Sequence, residues 1–179
     1  ERINNNTITD ILNKIEVKAG DVVMVKAGTI HAIGAGVFIC EIQQNSNCTY
    51  RMYDYDRRDK FGNPRELHVK KALDVVDNHK YIKDNKTEVV IARNEHFTEE
   101  RLVQCKYFEV YKYDVNDEAK ITVDEASFVS VLFINGSGTI ETDDYEKTME
   151  FKAGDSFFVS AGLRSIIIKG QATMVVTRV

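Results

Sequence analysis

The spacing of hydrophobic residues changes several times along the chain, and each change predicts a different element. Residues 7–15 begin with the helix-start pattern Thr7-Ile8-Thr9-Asp10 and continue with apolar residues at helical spacing, which predicts a short helix. Residues 17–55 are short apolar stretches separated by glycines and rich in valine and isoleucine, as is typical of strands. After Pro64, an apolar face over residues 69–76 predicts a second helix.

Strand-like sequence resumes at Val89, after a polar stretch over residues 77–86. Gly136-Ser137-Gly138 predicts a tight turn, with Thr139-Ile140 at the start of the returning strand. Many short strands and few helices predict a mainly β protein, and jelly-roll barrels would bury such strands without long open edges. We expect part of one barrel and a crossover helix over residues 1–76, a connection over 77–96 and a second barrel over 97–179.

Composition and charge narrow the range of functions. The 179 residues are 43% hydrophobic and 29% charged, which suffices for one large or two small domains. A net charge of −4 favours neither nucleic acid nor a membrane surface as a partner, and no apolar run reaches the roughly 20 residues that span a bilayer. Without a signal-peptide pattern, a cytoplasmic location is expected. Because the chain begins with Glu1 rather than methionine, we expect it to be a piece of a longer protein.

A phrase near the N-terminus recurs near the C-terminus. Val17-Lys18-Ala19-Gly20-Asp21 returns as Phe151-Lys152-Ala153-Gly154-Asp155, and Ala27-Gly28 returns as Ala161-Gly162 at the same spacing. Lys-Ala-Gly-Asp by itself is a good tight turn, since glycine reaches positive φ and aspartate bonds to nearby backbone. A turn does not explain the matching second glycine, so the repeat indicates two related modules.

The two copies differ at one position that matters chemically. In the first copy, Gly20 is followed after five residues by Lys26-Ala27-Gly28 and then by His31, whereas the second copy has Ser165 in place of His31. The first copy resembles the second motif of the cupin superfamily, in which proline usually stands at the position of Lys26. In cupins this histidine projects into the barrel and binds a metal. The resemblance therefore implies a metal ligand at His31 and a second barrel without a metal; outside the motif, a structural histidine would be the simpler interpretation.

The sequence beyond His31 carries a more specific resemblance. The segments concerned are Ala32-Ile33-Gly34-Ala35-Gly36, Glu41-Ile42-Gln43-Gln44-Asn45-Ser46, Thr49-Tyr50-Arg51-Met52-Tyr53-Asp54-Tyr55-Asp56-Arg57 and Pro64-Arg65-Glu66-Leu67-His68. From about Asn13 to its end, the chain resembles the C-terminal half of type I mannose-6-phosphate isomerases of the short bacterial kind. The resemblance implies a cupin enzyme that interconverts mannose 6-phosphate and fructose 6-phosphate, with a small sugar phosphate as its partner.

The same resemblance implies roles for individual residues. It implies one zinc ion held by a Gln-x-His pair, a glutamate and a later histidine; of these, only His31 is in this chain, so the missing N-terminal half would supply the others. Arg51 matches the family's catalytic arginine, and Glu41 matches an acidic residue beside the substrate. Strand alternation allows both side chains to point into a barrel, although a surface ion pair between Arg51 and Glu41 is an alternative.

Other features allow more than one interpretation. Many members of the family have aspartate where this chain has Asn47. If that aspartate tunes the arginine, Asn47 would weaken the electrostatics near Arg51; if it only shapes a turn, asparagine does the same. Arg57, Arg58 and Arg65 could receive a sugar phosphate through bidentate contacts, but a charged loop is the simpler interpretation. The chain could also be a non-catalytic bicupin fragment or sugar-binding module. A different cupin metalloenzyme, such as an oxygenase, would need more histidines near the barrel mouth.

Overall fold

The structure is a computed structural model that describes residues 1–46, 48–79, 89–143 and 147–179. The chain divides into two compact units, Glu1–Lys83 and Asp84–Val179. Asn47 and most of the polar stretch expected to connect the modules lie outside the described residues. Within the described ranges, no helix is long and apolar enough to cross a membrane.

The described residues of the second unit form an eight-stranded sheet in which every pairing is antiparallel. The strands are β1 (Val89–Arg93), β2 (Phe97–Gln104), β3 (Glu109–Val115), β4 (Glu118–Val123), β5 (Val129–Thr142), β6 (Thr148–Lys152), β7 (Ser156–Val159) and β8 (Arg164–Arg178). Their order is β1-β2-β3-β8-β5-β6, with β4 paired to β8 and β7 paired to β5. Strand β1 begins at Val89, where the strand-like sequence resumes, and it lies within the connection expected over residues 77–96.

The long strands β5 and β8 organise this sheet. They pair with each other along almost their whole length, from Val129 opposite Arg178 to Thr142 opposite Ile166. Strand β8 pairs with β4 over its first part and with β3 over its second part, while β5 pairs first with β7 and then with β6. Because each long strand changes its outer neighbour midway, the sheet curls around a single core.

Three glycines allow β5 and β8 to approach each other closely. Gly136 and Gly170 have φ of 91° and 124°, a region that other residues rarely adopt. A side chain at Gly136, Gly138 or Gly170 would overlap backbone atoms of the opposite strand. The prediction of a tight turn at Gly136-Ser137-Gly138 is therefore wrong: these residues lie within β5. Turns and close backbone approaches both favour glycine, so composition alone does not separate them.

The core of the second unit follows the alternation of its strands. In β4, exposed and buried residues alternate, and Ala119, Ile121 and Val123 are almost completely buried. In β5, Phe133 is fully buried and stacks on Phe151, with ring centroids 3.7 Å apart. Burying a side chain of this size stabilises a fold by about 1.5–3 kcal/mol, so these strands supply a substantial core.

The first unit contains the two helices that its hydrophobic spacing predicts. A short 3₁₀ helix spans Ile8–Ile11, and helix α1 spans Val69–Val75. Their buried residues are Ile8 and Ala72. The helix prediction is confirmed in both places, although the first helix has a single tight turn.

The strands expected over residues 17–55 are not paired within the described part of the first unit. There, the structure has one isolated β-bridge, between Arg58 and Pro64. Apolar side chains that a barrel would bury are open to solvent, and Phe38 is 98% exposed. A strand is stabilised by hydrogen bonds to its neighbour, and no described residue of this unit offers a neighbouring strand. The barrel module expected over residues 1–76 is therefore not closed among the described residues.

Candidate functional site

The repeated turn has the same geometry in both units. The residues compared are Gly20, Asp21 and Gly28 in the first copy and Gly154, Asp155 and Gly162 in the second. The first glycines both have φ of 91°, and the second glycines have φ of 85° and 79°. In both copies the aspartate carboxylate accepts the backbone N–H of the lysine three residues earlier, at 3.3 and 2.9 Å. The sequence repeat is thus also a structural repeat of the turns.

The second glycine of the first copy positions the segment that leads to His31. The Gly28 carbonyl accepts the backbone N–H of Asp77 at 2.9 Å, just after helix α1. A Cβ at Gly28 would lie 2.7 Å from the carbonyl oxygen of Val75. Glycine is needed here both for its positive φ and for this close approach. The end of α1 therefore holds the turn three residues before His31.

His31 is exposed, and a contact with the backbone favours one tautomer of its neutral ring. Its Nδ1 lies 2.8 Å from the Thr29 carbonyl oxygen. Because a carbonyl can only accept, Nδ1 is the donor, and in the neutral ring Nε2 keeps its lone pair. A metal-binding histidine needs this arrangement, in which the other ring nitrogen is held by a backbone carbonyl.

One suitable histidine does not make a metal centre. Within the described ranges, no group of three or more His, Cys, Asp or Glu side chains could hold a metal ion. A zinc site normally takes at least three protein ligands. The residues described in this chain therefore do not complete a zinc site, and His31 fits as one ligand of a larger set.

Arg51 is held at both its backbone and its side chain. Its backbone N–H lies 3.3 Å from Nδ1 of His68, and its carbonyl accepts the His68 backbone N–H at 2.7 Å. Its guanidinium donates to the Glu66 carbonyl at 3.3 Å and lies 4.0 Å from the Asp54 carboxylate. The side chain is 27% exposed, so the guanidinium is held by these contacts and remains partly accessible to solvent.

Glu41 is exposed, and the described structure records no hydrogen bond or ion pair for its carboxylate. Nor does a hydrogen bond or ion pair join any two of His31, Glu41 and Arg51 among the described residues. The alternative of an ion pair between Arg51 and Glu41 is not formed, because Arg51 faces Asp54 instead.

The strongest electrostatic feature of the first unit is a carboxylate that the motifs did not indicate. Asp54 is 6% exposed, and the guanidinium groups of three arginines lie within 4.0 Å of its carboxylate. Arg57 donates to it at 2.6 Å, Arg65 donates through Nε at 2.7 Å and again through Nη2, and Arg51 lies 4.0 Å away. We call Asp54 and these three side chains the arginine cluster.

Hydrogen bonds from Arg65, reinforced by Arg57, lower the pKa of Asp54 from 3.8 to about 2, although burial acts in the opposite direction. Asp54 is therefore ionised at any pH near neutral. The sequence contains the signal for this cluster, four arginines within 11 residues of one aspartate, of which three form the cluster. It was not decisive, because spacing does not show that Asp54 is buried and the arginines converge on it.

The second unit has a different arrangement at the position equivalent to His31. The Ser165 hydroxyl is buried and donates to the carboxylate of Asp143, which also lies 3.5 Å from the Lys120 ammonium. The hydrogen bond from Ser165 is the main cause that lowers the pKa of Asp143. A serine–carboxylate pair thus occupies the place where the first copy has a histidine.

An antiparallel sheet curled around one core and few helices make this a mainly β protein, and the comparisons show that its fold is that of a cupin. Residues 98–179 match the family model described as mannose-6-phosphate isomerase, cupin domain. The mannose-6-phosphate isomerase ManA of Bacillus subtilis is 34% identical to this chain over 178 residues, covering 94% of the chain and 52% of ManA. Nearly the whole chain is thus similar to mannose-6-phosphate isomerases, and its residues 98–179 match the cupin domain of that family.

Two further comparisons agree with this assignment. YvyI of Bacillus subtilis is 41% identical over 182 residues, covering 99% of this chain and 54% of YvyI. The crystal structure of a mannose 6-phosphate isomerase from Bacillus subtilis superimposes with a TM-score of 0.65 at 39% identity, covering 76% of this chain and 42% of that one. The chain thus spans about half the length of the curated relatives it matches.

Proposed function

We propose that this chain is the C-terminal part of an aldose–ketose isomerase that interconverts mannose 6-phosphate and fructose 6-phosphate. The observation that carries the proposal is the similarity to ManA, which extends over 94% of the chain. The proposal is also supported by the guanidinium of Arg51, which is held in place and suits the chemistry of this reaction. The proposal concerns the longer protein, since the chain spans about half of its relatives.

Isomerisation of an aldose moves a proton between C1 and C2 through an enediol, and negative charge grows on the substrate oxygens. An arginine near neutral pH stays protonated, so it is a poor proton acceptor and a good charge stabiliser. Held by the Glu66 carbonyl and the His68 backbone, Arg51 needs little reorganisation to act in this way. We assign Arg51 to charge stabilisation and Glu41 to contact with the sugar, and the proton-transferring base lies elsewhere.

The proposal includes one zinc ion, with Nε2 of His31 as one ligand. When bound, such an ion polarises a carbonyl oxygen and orients hydroxyl groups of the sugar. The remaining ligands are proposed to come from outside the described residues. Among the described residues, no group of three or more His, Cys, Asp or Glu side chains could hold a metal ion. The backbone contact at Nδ1 supports the assignment of His31, since it leaves Nε2 available.

The other half of the longer protein is proposed to complete the first barrel. Residues 17–43 carry the cupin-like turn and apolar residues such as Phe38, Ile33 and Ile39, which are exposed and unpaired within this unit. Strands from the other half would pair with this segment and bury those side chains. Residues 97–179 would then be the second, non-metal barrel.

The experiment uses the longer protein and measures the conversion of mannose 6-phosphate in a coupled assay. We expect His31→Ala and Arg51→Ala each to lower kcat/KM by about 100-fold or more, the range found when a preorganised charge stabiliser is removed. His31→Ala should also lose zinc, whereas Arg51→Ala should keep it. Matched controls are His79→Ala and Arg58→Ala, which remove exposed residues outside this site. Near wild-type turnover in His31→Ala or Arg51→Ala would contradict the assignment.

A second function is favoured for the 179-residue chain by itself. This alternative is a non-catalytic bicupin fragment or a sugar-binding module, because the described residues by themselves do not complete a metal site. Metal analysis after dialysis separates the two functions. Stoichiometric zinc together with isomerase activity supports the enzyme, and an empty site without turnover supports the fragment.

A further inference from the structure

The arginine cluster contains more positive than negative charge. Asp54 is a single carboxylate facing three guanidinium groups, from Arg51, Arg57 and Arg65. A structural ion pair needs one arginine for each carboxylate, so two positive charges are left over at this place. Close packing of like charges is unfavourable unless an anion balances them.

Neighbouring carboxylates have other partners, and Glu66 lies 3.6 Å from the His68 ring. Asp56 is paired with Arg58 at 3.0 Å. Asp59 accepts the backbone N–H groups of Phe61 and Asn63 at 2.8 and 2.9 Å, so it is committed to the turn. None of these three carboxylates makes an ion pair with Arg57 or Arg65 among the described residues.

Arg57 and Arg65 each keep N–H donors that Asp54 does not use. Arg65 uses Nε and Nη2 for Asp54, and Arg57 uses Nη2 for the carboxylate and Nε for the Asp54 carbonyl. Neither Nη1 group makes a hydrogen bond to another described residue. The side chains of Arg57 and Arg65 are 62% and 48% exposed, respectively. Guanidinium groups in this position offer N–H pairs that match the oxygens of a phosphate group.

The cluster is also ordered in advance. Asp54 holds both guanidinium planes, and the ring of Tyr55 lies 5.6 Å from the Arg57 guanidinium carbon. Fixing arginine side chains before binding reduces the conformational entropy lost when an anion is bound. A mobile charged loop would lack this advantage.

We propose that Arg57 and Arg65, held by Asp54, bind the phosphate group of a phosphate monoester. This inference rests on the proposed function and deepens it, because it identifies residues that would distinguish a sugar phosphate from the free sugar. Asp54 is a positioning residue in this site, and the two arginines contact the ligand. The ligand chemistry is a tetrahedral dianion, which a sugar phosphate and free inorganic phosphate share.

Calorimetric titration of the 179-residue chain with inorganic phosphate, mannose 6-phosphate and mannose tests the site. We expect both phosphates to bind, and mannose to bind at least about tenfold more weakly than mannose 6-phosphate. Arg57→Gln and Arg65→Gln should each weaken phosphate binding by about tenfold or more, since each removes charge-assisted hydrogen bonds. The matched control Arg58→Gln removes a neighbouring arginine paired with Asp56 and should change binding by less than about twofold.

A second measurement does not depend on the folding of a variant. In the wild-type chain, backbone amide resonances of residues 51–65 should shift on addition of inorganic phosphate, and those of β5 and β8 should not. Shifts confined to other residues, or wild-type affinity in both Arg57→Gln and Arg65→Gln, would overturn the site.

Two outcomes separate an error in the phosphate site from an error in the isomerase assignment. If the longer protein isomerises mannose 6-phosphate and both arginine variants keep the wild-type KM, the phosphate site is wrong and the isomerase assignment stands. If the longer protein shows no isomerase activity but phosphate binding depends on Arg57 and Arg65, the site stands and the isomerase assignment is wrong.

Discussion

At the scale of single residues, one buried carboxylate organises the surroundings of Arg51. Asp54 gathers three arginines, and one of them, Arg51, is the residue to which the family resemblance assigns catalysis. The His31 ring is held instead by the backbone carbonyl of Thr29, which contacts Nδ1 and leaves Nε2 available. The sequence motifs identified Arg51 and His31 as candidates, while the role of Asp54 depends on burial, which the motifs do not report.

The electrostatics of Asp54 predict a specific pH dependence. Its pKa is lowered in the folded chain, from 3.8 to about 2, so its contribution to stability is complete above about pH 4 and is lost as the pH falls from about 4 to about 2. We expect Asp54→Asn to unfold at lower urea concentration than wild type at pH 6. The difference in urea midpoint between the two proteins should narrow at pH 3.

The control for this measurement is Asp56→Asn, which removes an exposed carboxylate that pairs with Arg58 and leaves the arginine cluster intact. Its midpoint should follow that of wild type at both values of pH. A difference between wild type and Asp54→Asn that stays constant from pH 6 to pH 3 would show that Asp54 does not have a lowered pKa.

At the scale of elements, the second unit depends on how β5 and β8 cross its core. The hydrophobic pattern predicted strands in this region, and alternation predicted which residues of β4 are buried. Gly136-Ser137-Gly138 was predicted as a turn but is a point of close contact between strands. The partner in that contact, Gly170, is distant in sequence, so no local pattern could indicate it.

This contact predicts the effect of one added methyl group. In Gly138→Ala, the new Cβ would overlap the backbone carbonyl of Lys169 in β8, which cannot move without disturbing the pairing. We expect the free energy of unfolding to fall by about 1–3 kcal/mol, as for other overpacked sites. Urea unfolding followed by circular dichroism measures the change.

Ser137→Ala is the matched control, because Ser137 is exposed and lies between the two glycines. Its free energy of unfolding should stay within about 0.5 kcal/mol of wild type. Equal stability of Gly138→Ala and Ser137→Ala would exclude a close approach of the two strands at this point.

At the scale of the whole molecule, the two copies of the repeated turn have matching geometry but different surroundings. In the second unit, Phe133 of β5 exchanges backbone hydrogen bonds with Gly154 and Asp155 of the turn. In the first unit, residues 17–43 carry the same turn without paired strands among the described residues. The proposed completion of this segment by the other half of a longer protein accounts for the difference.

Hydrogen exchange tests this completion. In the 179-residue chain, amides of residues 17–43 should exchange rapidly, apart from those bonded within turns, because they have no strand partner. In the longer protein, the same amides should become strongly protected. Amides of β5 and β8 serve as an internal control and should be protected in both proteins. Rapid exchange of residues 17–43 in the longer protein would contradict a barrel completed by the other half.

The sequence by itself determined the features that depend on neighbouring residues. Local periodicity indicated a mainly β chain with two short helices, and turn chemistry indicated the repeated glycine–aspartate turn. The family resemblance also followed from the sequence, because short motifs such as the one around Arg51 are read without a structure.

The tertiary structure alone decided which distant residues meet. It paired β5 with β8 and made Gly138 a contact point, and it gathered Arg51, Arg57 and Arg65 on Asp54. The physical reason is the same in each case. Burial and the approach of separate segments set these contacts and the pKa of Asp54, and neither is encoded in the spacing of residues along one segment.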